Sequence, residues 1–294
     1  MWKTLGALAA IACVWTTSAS AQDQLYGTLK KIKDSGTINV GHREASVPFS
    51  YIGPDGKAIG YSMDICQKIV ERVKTELKMD KLDVKYVPTN AQTRIPLVAN
   101  GTIDIECGST TNNLTRTKQV DFLQITFITG TKLLVRKGSG IKEVEDLGGK
   151  KIALVLGTTN EKAVKAVAEE KKIKLDVTAV KDYPQALLEL ETNRVDAIAS
   201  DDILLAGVRA SSKTPQAFEV VGRYLSYDPY GIMVRRDDSA FRLIGNTVIS
   251  DLMRSGEIKT IYDKWFIKPP GKDPLDWPLS DMLKTAFEIQ ALPY

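Results

Sequence analysis

Histidine is almost absent from this sequence: of its 294 residues, only His42 is a histidine. With a single histidine we identify no Ser/His/Asp triad, Cys/His dyad or multi-histidine metal site. The sequence also lacks a Walker loop, a dinucleotide-binding fingerprint and a Gly-x-Ser-x-Gly elbow. We therefore predict a protein that is not an enzyme and that has neither a metal site nor a cofactor. An acid/base enzyme that uses only carboxylates stays open, because 36 Asp and Glu residues are spread along the chain.

Long apolar runs are missing as well, and no stretch after the first 21 residues approaches the roughly 20 apolar residues of a membrane-spanning helix. The beginning of the chain has the pattern of an export signal, with Lys3, a short apolar run over 5–14 and small residues at 19–21. We predict cleavage of this signal peptide (residues 1–21), so that the mature protein begins near Gln22 and lies in the periplasm. A lipid anchor on Cys13 is the alternative, but its place inside the apolar run favours simple secretion.

A strong charge of either sign is also lacking. Of the 40 Lys and Arg residues, Lys3 falls in the predicted signal, which leaves 39 basic against 36 acidic residues and a net charge of +3. The basic residues are scattered, and no stripe of them alternates with aromatic residues. We therefore predict no binding to nucleic acid.

Cysteine is scarce, since only Cys66 and Cys107 follow the predicted signal. In an oxidising compartment the two could form one disulfide, provided that the helix predicted around Cys66 packs on the strand that ends near Cys107. Two buried, unpaired thiols are the alternative. The sequence does not choose between them.

Short apolar strands alternate with amphipathic helices along the chain, which predicts an α/β protein with largely parallel sheets. This order of elements occurs twice, and the segments 97–105 and 188–198 pass from helix to strand in the same way. We therefore predict two lobes of similar architecture. The predicted strands cover 37–41, 83–87, 102–106, 151–155, 176–180 and 195–199, and the predicted helices cover 61–77, 94–99, 161–173 and 184–190.

Two extended segments, 125–136 and 230–235, are rich in β-branched and other apolar residues and are predicted to cross between the lobes as a hinge. A helix-rich segment over 240–266 is expected to return to the first lobe. A proline-rich irregular segment follows it. The predicted domains are 22–128 (lobe 1, first part), 129–225 (lobe 2) and 226–294 (return to lobe 1 with the C-terminal tail).

Three arginines fall near predicted strand ends or helix starts: Arg43, Arg94 and Arg116. Ligands of open α/β sheets bind beyond the carboxyl ends of the strands, and the planar arginine fork is suited to carboxylates. Taken singly, each arginine fits a surface or structural role better than a ligand-binding one, because arginine side chains are mostly solvent-facing. Three hydroxyl or carboxylate residues also have two interpretations: Ser109, Thr111 and Asp201. Each could bind the ligand or cap the N-terminus of a helix.

Several segments together resemble the type-II periplasmic solute-binding proteins for polar amino acids (family 3), and within them the glutamate/aspartate-binding proteins of ABC importers. The resemblance extends over essentially the whole mature chain. It implies a two-lobed periplasmic-binding-protein-like fold with a central cleft and two hinge crossings. It is carried by segments 41–50, 60–65, 92–97, 106–113 and 201–207.

The resemblance also implies roles for individual residues. Arg43 and Arg94 match the arginines that hold the side-chain carboxylate of the ligand, and Asp201, helped by Ser109, matches the acceptor of the α-ammonium group. The clamp on the α-carboxylate is matched by Arg116, Ser109, Thr111 and Thr159.

The sequence departs from this family pattern at three positions. Ala91 stands where close relatives have a serine near the side-chain carboxylate, and Tyr183 stands where they have a histidine. Ile232 replaces a cysteine, so a pairing of Cys107 with that position does not exist here. Because Arg43 and Arg94, which match the arginines that hold the ligand's side-chain carboxylate, are both kept, we still expect an acidic ligand.

The function implied by the resemblance is capture of L-glutamate or L-aspartate by hinge closure, followed by delivery to the permease subunits of an ABC transporter. Thr159, Tyr183 and Asp201 would complete the site from the second lobe. We expect the protein to act as a monomer. Two alternatives come from other classes: an enzyme similar to cyclohexadienyl dehydratase on the same fold, and a ligand-sensing module.

Overall fold

The structure is a computed structural model that describes residues 25–269 and 275–294. The predicted signal peptide therefore lies outside the described residues. Within the described ranges, no helix is both long enough and apolar enough to cross a membrane.

The strands are short and belong to two five-stranded sheets and one small three-stranded sheet. Their bounds are β1 Thr37–Arg43, β2 Ala45–Ser46, β3 Ser50–Ile52, β4 Ala58–Ile59, β5 Asp83–Thr89, β6 Ile105–Glu106, β7 Val120–Thr129, β8 Thr131–Arg136, β9 Lys151–Val155, β10 Asp176–Val180, β11 Ala197–Asp201, β12 Phe218–Val221 and β13 Asp228–Arg235.

The helices connect the parallel strands and cover the sheets. Their bounds are α1 Gly27–Ser35, α2 Tyr61–Glu76, α3 Arg94–Ala99, α4 Thr159–Glu170, α5 Tyr183–Glu191, α6 Asp202–Ala210, α7 Ser239–Arg254, α8 Glu257–Phe266 and α9 Asp281–Gln290, with 3-10 helices at Arg116–Lys118, Val144–Leu147 and Pro215–Ala217.

The two large sheets have the same strand order. The first sheet is β5-β1-β6-β13-β7 and the second sheet is β10-β9-β11-β8-β12. In each, three parallel strands come first and two strands in antiparallel pairing complete the sheet. The parallel strands are buried where they are apolar, as at Ile38 and Val40 in β1 and at Ile152 and Leu154 in β9. Burial by helices is what parallel sheets require.

The chain passes between the two sheets twice. It leaves the first sheet at Thr129 and enters the second at Thr131, so that Gly130 alone connects β7 with β8. It returns between β12 and β13, so the prediction that segment 230–235 crosses between the lobes is wrong: this segment lies inside β13, where it pairs with β7 of the first sheet. A Cβ atom at Gly130 would press on the backbone carbonyl of Ser226 in the returning segment. The two crossings therefore lie against each other, and glycine permits their close approach.

The last helices pack on the first sheet, as the apolar pattern of segment 240–266 predicts. An aromatic cluster connects α8 with β7: the ring of Phe266 stacks on Phe127 at 5.1 Å and on Tyr262 at 4.2 Å between centroids. Phe49, in the turn between β2 and β3, contacts Phe127 edge to face at 4.9 Å. Large buried aromatic pairs of this kind add specific packing to the hydrophobic effect.

A disulfide joins Cys66 on α2 to Cys107 just after β6, with their Cα atoms 6.2 Å apart. The pair meets because α2 packs over the parallel part of the first sheet, with Ile65, Ile69 and Val73 buried on that face. The bond connects two elements of the first sheet and does not reach the second.

Several boundaries differ from the prediction. The strand expected over 102–106 is only Ile105–Glu106, since residues 102–104 form bends. The single run 125–136 is two strands separated at Gly130, each in a different sheet. The helical segment 240–266 is two helices, because Gly256 adopts a left-handed conformation with φ of 79° between them. In each case a local break interrupts an otherwise continuous apolar pattern.

Candidate functional site

A cleft lies where loops that follow parallel strands of the two sheets meet. Arg43 ends β1 and the loop 108–111 follows β6, while Thr159 follows β9 and Asp201 ends β11. Contacts cross from one side to the other, since the Thr111 and Thr159 hydroxyl oxygens are 3.2 Å apart. Carboxyl ends of parallel strands are the usual ligand edge of such sheets.

The three arginines predicted from the sequence are buried rather than solvent-facing. Arg43, Arg94 and Arg116 are 4%, 3% and 7% exposed. Burial is the main reason why the pKa of Arg94 falls to about 9, and the positive charges of Arg116 and Arg43 lower it further. Burial also lowers the pKa of Arg116, against the opposing effect of Asp228. Three cationic groups so close together and desolvated favour an anionic partner.

Two donors at this cleft are buried without a partner among the described residues, and so is one acceptor, Oε1 of Glu106. Within the described part of the chain, Nε of Arg94 and Oγ of Ser109 have no hydrogen-bond partner. An unpaired buried donor costs about 1–3 kcal/mol, so such groups in native proteins call for an explanation. A carboxylate ligand would accept from both kinds of donor.

Arg116 is held by backbone carbonyls from both sides of the cleft. Its Nη1 donates to the carbonyl of Thr111 at 2.9 Å, and its Nη2 donates to the carbonyl of Gly157 at 3.4 Å. These two bonds use only two of the five N–H donors of an arginine, so the others stay available for a ligand in the cleft.

Local capping places the residues of the second sheet. Gly157 has a φ of 79°, and the Thr158 side chain caps α4 by accepting from the amide of Glu161. Thr159 therefore lies in the first turn of the helix, where exposed amides and the helix dipole favour an anion. Asp182 caps α5 in the same manner and places Tyr183 at its first position.

Asp201 does not serve as a capping side chain, although it precedes α6 directly. Its Oδ1 accepts from Asn160 Nδ2 at 2.8 Å and its Oδ2 accepts from the hydroxyl of Tyr230. Burial, with the nearby charge of Asp228, raises the pKa of Asp201 to about 8. A cation placed against this carboxyl group would favour its ionised form. Ser109 and Thr111 do not cap a helix either, because the next helical turn begins at Arg116 and is preceded by Thr115.

Tyr183 faces the end of the cleft near Arg43. Both residues line a cavity of about 270 Å³ that also has Thr89 and Asn90 on its walls. The Tyr183 hydroxyl accepts from Ser200 Oγ at 3.1 Å, and burial raises the pKa of Tyr183. The hydroxyl is therefore a neutral group at physiological pH and can donate one hydrogen bond.

Known proteins resemble this chain in sequence and in fold. A family model of bacterial extracellular solute-binding proteins, family 3, matches residues 38–268. The chain belongs to this family.

Relatives with high identity share most of its length. The L-glutamate/L-aspartate-binding protein of Pseudomonas aeruginosa is 47% identical over 278 residues, which cover 94% of this chain and 92% of the relative. The glutamate/aspartate import solute-binding protein of Escherichia coli is 43% identical over 263 residues, which cover 89% and 87%. A solved structure of an ancestral arginine-binding protein bound to glutamine has a TM-score of 0.70 at 31% identity, with coverage of 79% of this chain and 98% of that chain.

Membership of family 3 confirms the predicted resemblance and the predicted two-lobed, type-II periplasmic-binding-protein-like fold. These relatives are named as solute-binding proteins rather than enzymes, so the prediction of a binding protein is also confirmed. The roles of individual residues stay predictions, although all of those predicted from the sequence lie at or beside the cleft.

Four residues at the site of this family-3 protein escaped the sequence analysis: Glu106, Asn160, Asp228 and Tyr230. Glu106 is fully buried near Arg43 and accepts from Thr110 Oγ1 at 2.9 Å. Asn160 directly follows Thr159 in the sequence, and Glu106 ends β6 shortly before Ser109. This proximity in sequence to predicted site residues could have identified both. The two residues from β13 carry no such signal.

Proposed function

We propose that this family-3 solute-binding protein captures an acidic amino acid, L-glutamate or L-aspartate, and delivers it to the permease subunits of an ABC transporter. One observation carries the proposal: three buried arginines outnumber the two buried carboxyl groups of Glu106 and Asp228 on the first-sheet side of the cleft, and the buried Asp201 stands on the other side. Two anionic groups and one cationic group on the ligand would match this pattern. The names of the bacterial relatives support the same ligand class.

In the proposed arrangement, Arg43 and Arg94 hold the side-chain carboxylate. Arg116 holds the α-carboxylate, and Asp201 receives the α-ammonium group. Ser109, Thr111 and Thr159 supply hydroxyl groups around the α-carboxylate, and Tyr183 closes the side-chain end. An ion-paired ligand would reduce the repulsion among the arginines that depresses the pKa of Arg94.

Hinge closure is part of the proposal. Residues 129–225 form the moving lobe, and residues 22–128 and 226–294 form the other. Binding shifts an open–closed equilibrium only through differential affinity, so a ligand that contacts both lobes would favour closure. The contact of Arg116 with Gly157, and that of Thr111 with Thr159, cross this boundary and support a closed form.

We further propose export to the periplasm through the N-terminal signal, with cleavage after residue 21, and action as a monomer. The description of the family as extracellular supports export. The +3 charge of the mature chain gives no reason to expect binding to nucleic acid.

Calorimetry on refolded, ligand-stripped mature protein tests the proposal against L-Glu, L-Asp, L-Gln, L-Asn and L-Arg. We expect tight binding of L-Glu or L-Asp, and a loss of about thirtyfold or more in Arg94→Ala, since a desolvated carboxylate would lose its partner. Arg72→Ala is the matched control, because Arg72 lies on α2 and pairs with Glu76 away from the cleft. Preference for an amide or a cationic ligand, or equal loss in both variants, would overturn the assignment.

A further inference from the structure

Asp228 is a buried carboxylate at the start of β13 that no assigned role explains. It is 1% exposed. One carboxylate oxygen accepts from Thr111 Oγ1 at 2.9 Å, and the other accepts from the hydroxyl of Ser226. An ionised carboxylate only accepts hydrogen bonds, so the protons of both hydroxyl groups must point toward Asp228.

The direction of these protons determines the next bonds along the chain of contacts. Because the Ser226 proton is used, the contact of Ser226 with Thr131 Oγ1 at 2.7 Å must have Thr131 as donor. Thr131 in turn accepts from Asn160 Nδ2 at 2.7 Å, and the same nitrogen donates to Asp201 at 2.8 Å. An unbroken run of hydrogen bonds therefore connects Asp228 with Asp201.

This run, which we call the hinge network, consists of Asp228, Ser226, Thr131, Asn160 and Asp201. Ser226 lies in the second crossing and Thr131 directly follows the first. The hinge network therefore passes through both connections between the sheets. Buried polar networks in which every group is satisfied are rigid and specify one arrangement.

Through its other carboxylate oxygen, Oδ1, Asp228 fixes the direction in which the Thr111 hydroxyl donates its proton. The only proton of this hydroxyl is given to Asp228, so in the 3.2 Å contact with Thr159 it is Thr159 that donates. Thr111 then presents lone pairs rather than a proton to its other neighbours. The single Thr159 hydroxyl proton is then used as well, so the proposed α-carboxylate would have to take its donors from Arg116, Ser109 and the backbone amides in the first turn of α4.

The charge of Asp228 also acts on both ends of the proposed amino-acid clamp. It opposes the lowering of the Arg116 pKa, and it adds to the raising of the Asp201 pKa. The titratable and charged groups that act electrostatically on or with Asp201 come from several elements: Asp228 and Tyr230 on β13, Asp202 on α6, Tyr183 on α5 and Arg116 after the loop 108–115.

We propose that Asp228 is a positioning residue of the amino-acid site, which orients the Thr111 hydroxyl and connects it through the hinge network to Asp201. The ligand-binding part of this inference rests on the proposed function. The effect of Asp228 on Asp201 does not rest on it, because the hydrogen bonds and charges that connect the two residues are present without any ligand.

Asp228→Asn is the informative substitution, since it keeps the shape and removes the charge. An amide has one acceptor oxygen and one donor nitrogen, so it can accept from Thr111 or from Ser226 but not from both. Asp238→Asn is the matched control. Asp238 is also a buried carboxylate on the first-sheet side and accepts from the amide of Thr28 at 2.7 Å, where it also caps α7.

The first measurement is a carbon-13 NMR titration of the carboxyl groups in ligand-free mature protein, with Asp201→Asn to assign the Asp201 signal. We expect the titration of Asp201 to move to lower pH in Asp228→Asn and to stay unchanged in Asp238→Asn. A titration of Asp201 that is the same in all folded variants would overturn the inference, whatever the protein binds.

The second measurement is the affinity for L-glutamate between pH 6 and pH 8. We expect Asp228→Asn to bind about tenfold more weakly at pH 8, with its pH dependence displaced to lower pH, and Asp238→Asn to match the unmodified protein. If the unmodified protein binds no acidic amino acid, the proposed function fails while the NMR titration still decides the role of Asp228. Equal affinities and equal pH profiles in all three proteins would refute the positioning role.

Discussion

The two large sheets have the same strand order but contribute opposite chemistry to the cleft. The first-sheet side supplies the three buried arginines together with two buried carboxyl groups, those of Glu106 and Asp228. The second-sheet side supplies Asp201 and two hydroxyl groups, those of Thr159 and Tyr183. The same backbone topology thus presents a net cationic surface on one side and a neutral to acidic one on the other. The comparison teaches that the fold provides matched strand ends, and that the side chains at those ends decide the charge of the ligand.

The difference also has a mechanical side. The disulfide and the large aromatic cluster both lie on the first-sheet side, where the arginines are. Desolvated like charges repel one another, and a rigid support is needed to keep them together. On the second-sheet side, helix caps at Thr158 and Asp182 place Thr159 and Tyr183, and Asp201 is placed by the end of β11.

The largest effect is expected from removal of a first-sheet arginine. Arg116→Ala should weaken binding of L-glutamate by about 2–5 kcal/mol, because a desolvated carboxylate would be left without its partner. On the second-sheet side, Thr159→Val should cost only about 1 kcal/mol, the usual worth of a neutral hydrogen bond. Calorimetric titration of both variants measures the difference, and equal losses would break the proposed division between the sheets.

The next largest effect concerns stability. Replacing both Cys66 and Cys107 by serine should lower the free energy of unfolding by about 2–4 kcal/mol, since the bond closes a long loop in the unfolded chain. The two residues are 41 positions apart. Thermal unfolding of the oxidised protein and of the double variant measures this difference in the free energy of unfolding. A loss of ligand affinity without a loss of stability would show that the disulfide supports the arginines directly.

Proton linkage at Asp201 is expected to give a smaller effect. Its folded-state pKa of about 8 lies above its ordinary value of 3.8, so the ligand-free protein holds this proton between those pH values. The contribution of Asp201 to folding stability is therefore present at low pH and is lost as the pH rises toward 8.

An ammonium group favours the ionised carboxylate, so ligand affinity should rise with pH by up to about tenfold per unit until pH 8 is reached. Binding at pH 7 should release close to one proton. Calorimetry in two buffers with different ionisation enthalpies measures that release. Asp201→Asn serves as the control and should show neither effect, and a flat profile in the unmodified protein would contradict the prediction.

The smallest effect is expected at Tyr183. Tyr183→Phe removes the acceptor of Ser200 and one donor at the side-chain end, which should weaken binding by about 1 kcal/mol or less. Tyr86→Phe, at a half-exposed tyrosine on β5, is the matched control. An effect as large as that of Arg116→Ala would move Tyr183 into the group of main ligand contacts.

Much of the fold could be predicted from local patterns. The alternation of apolar strands with amphipathic helices predicted the two parallel cores, and the run 125–136 contains the first crossing. The second predicted crossing, 230–235, was wrong, because this run lies inside β13 and the chain crosses before it, between residues 221 and 228. Boundaries were less accurate, as the short β6 and the break at Gly130 show. Hydrogen bonds between neighbouring strands, which a local pattern does not contain, decide where a strand ends.

The residues of the site also divide into those that the sequence could predict and those that it could not. Arg43 and Asp201 stand at strand ends and were predictable as cleft residues, whereas Thr159, at the start of α4, was implied only by the resemblance to a known family. Asp228 and Tyr230 were not, because their partners at the site lie far away in sequence: Thr111 is 117 positions from Asp228, and Asp201 is 29 positions from Tyr230.

By itself the sequence determined the repeated α/β order and the kind of charges available at the strand ends, because those properties depend on residue type and on short-range periodicity. The class of protein followed from the resemblance of several segments to a known family. Only the tertiary structure decided that three arginines share one buried cleft, that Cys66 meets Cys107, and that the protons of Thr111 and Ser226 point to Asp228. The physical reason is that desolvation, repulsion and hydrogen-bond direction depend on which groups are brought together in space, and distant segments come together only when the chain is folded.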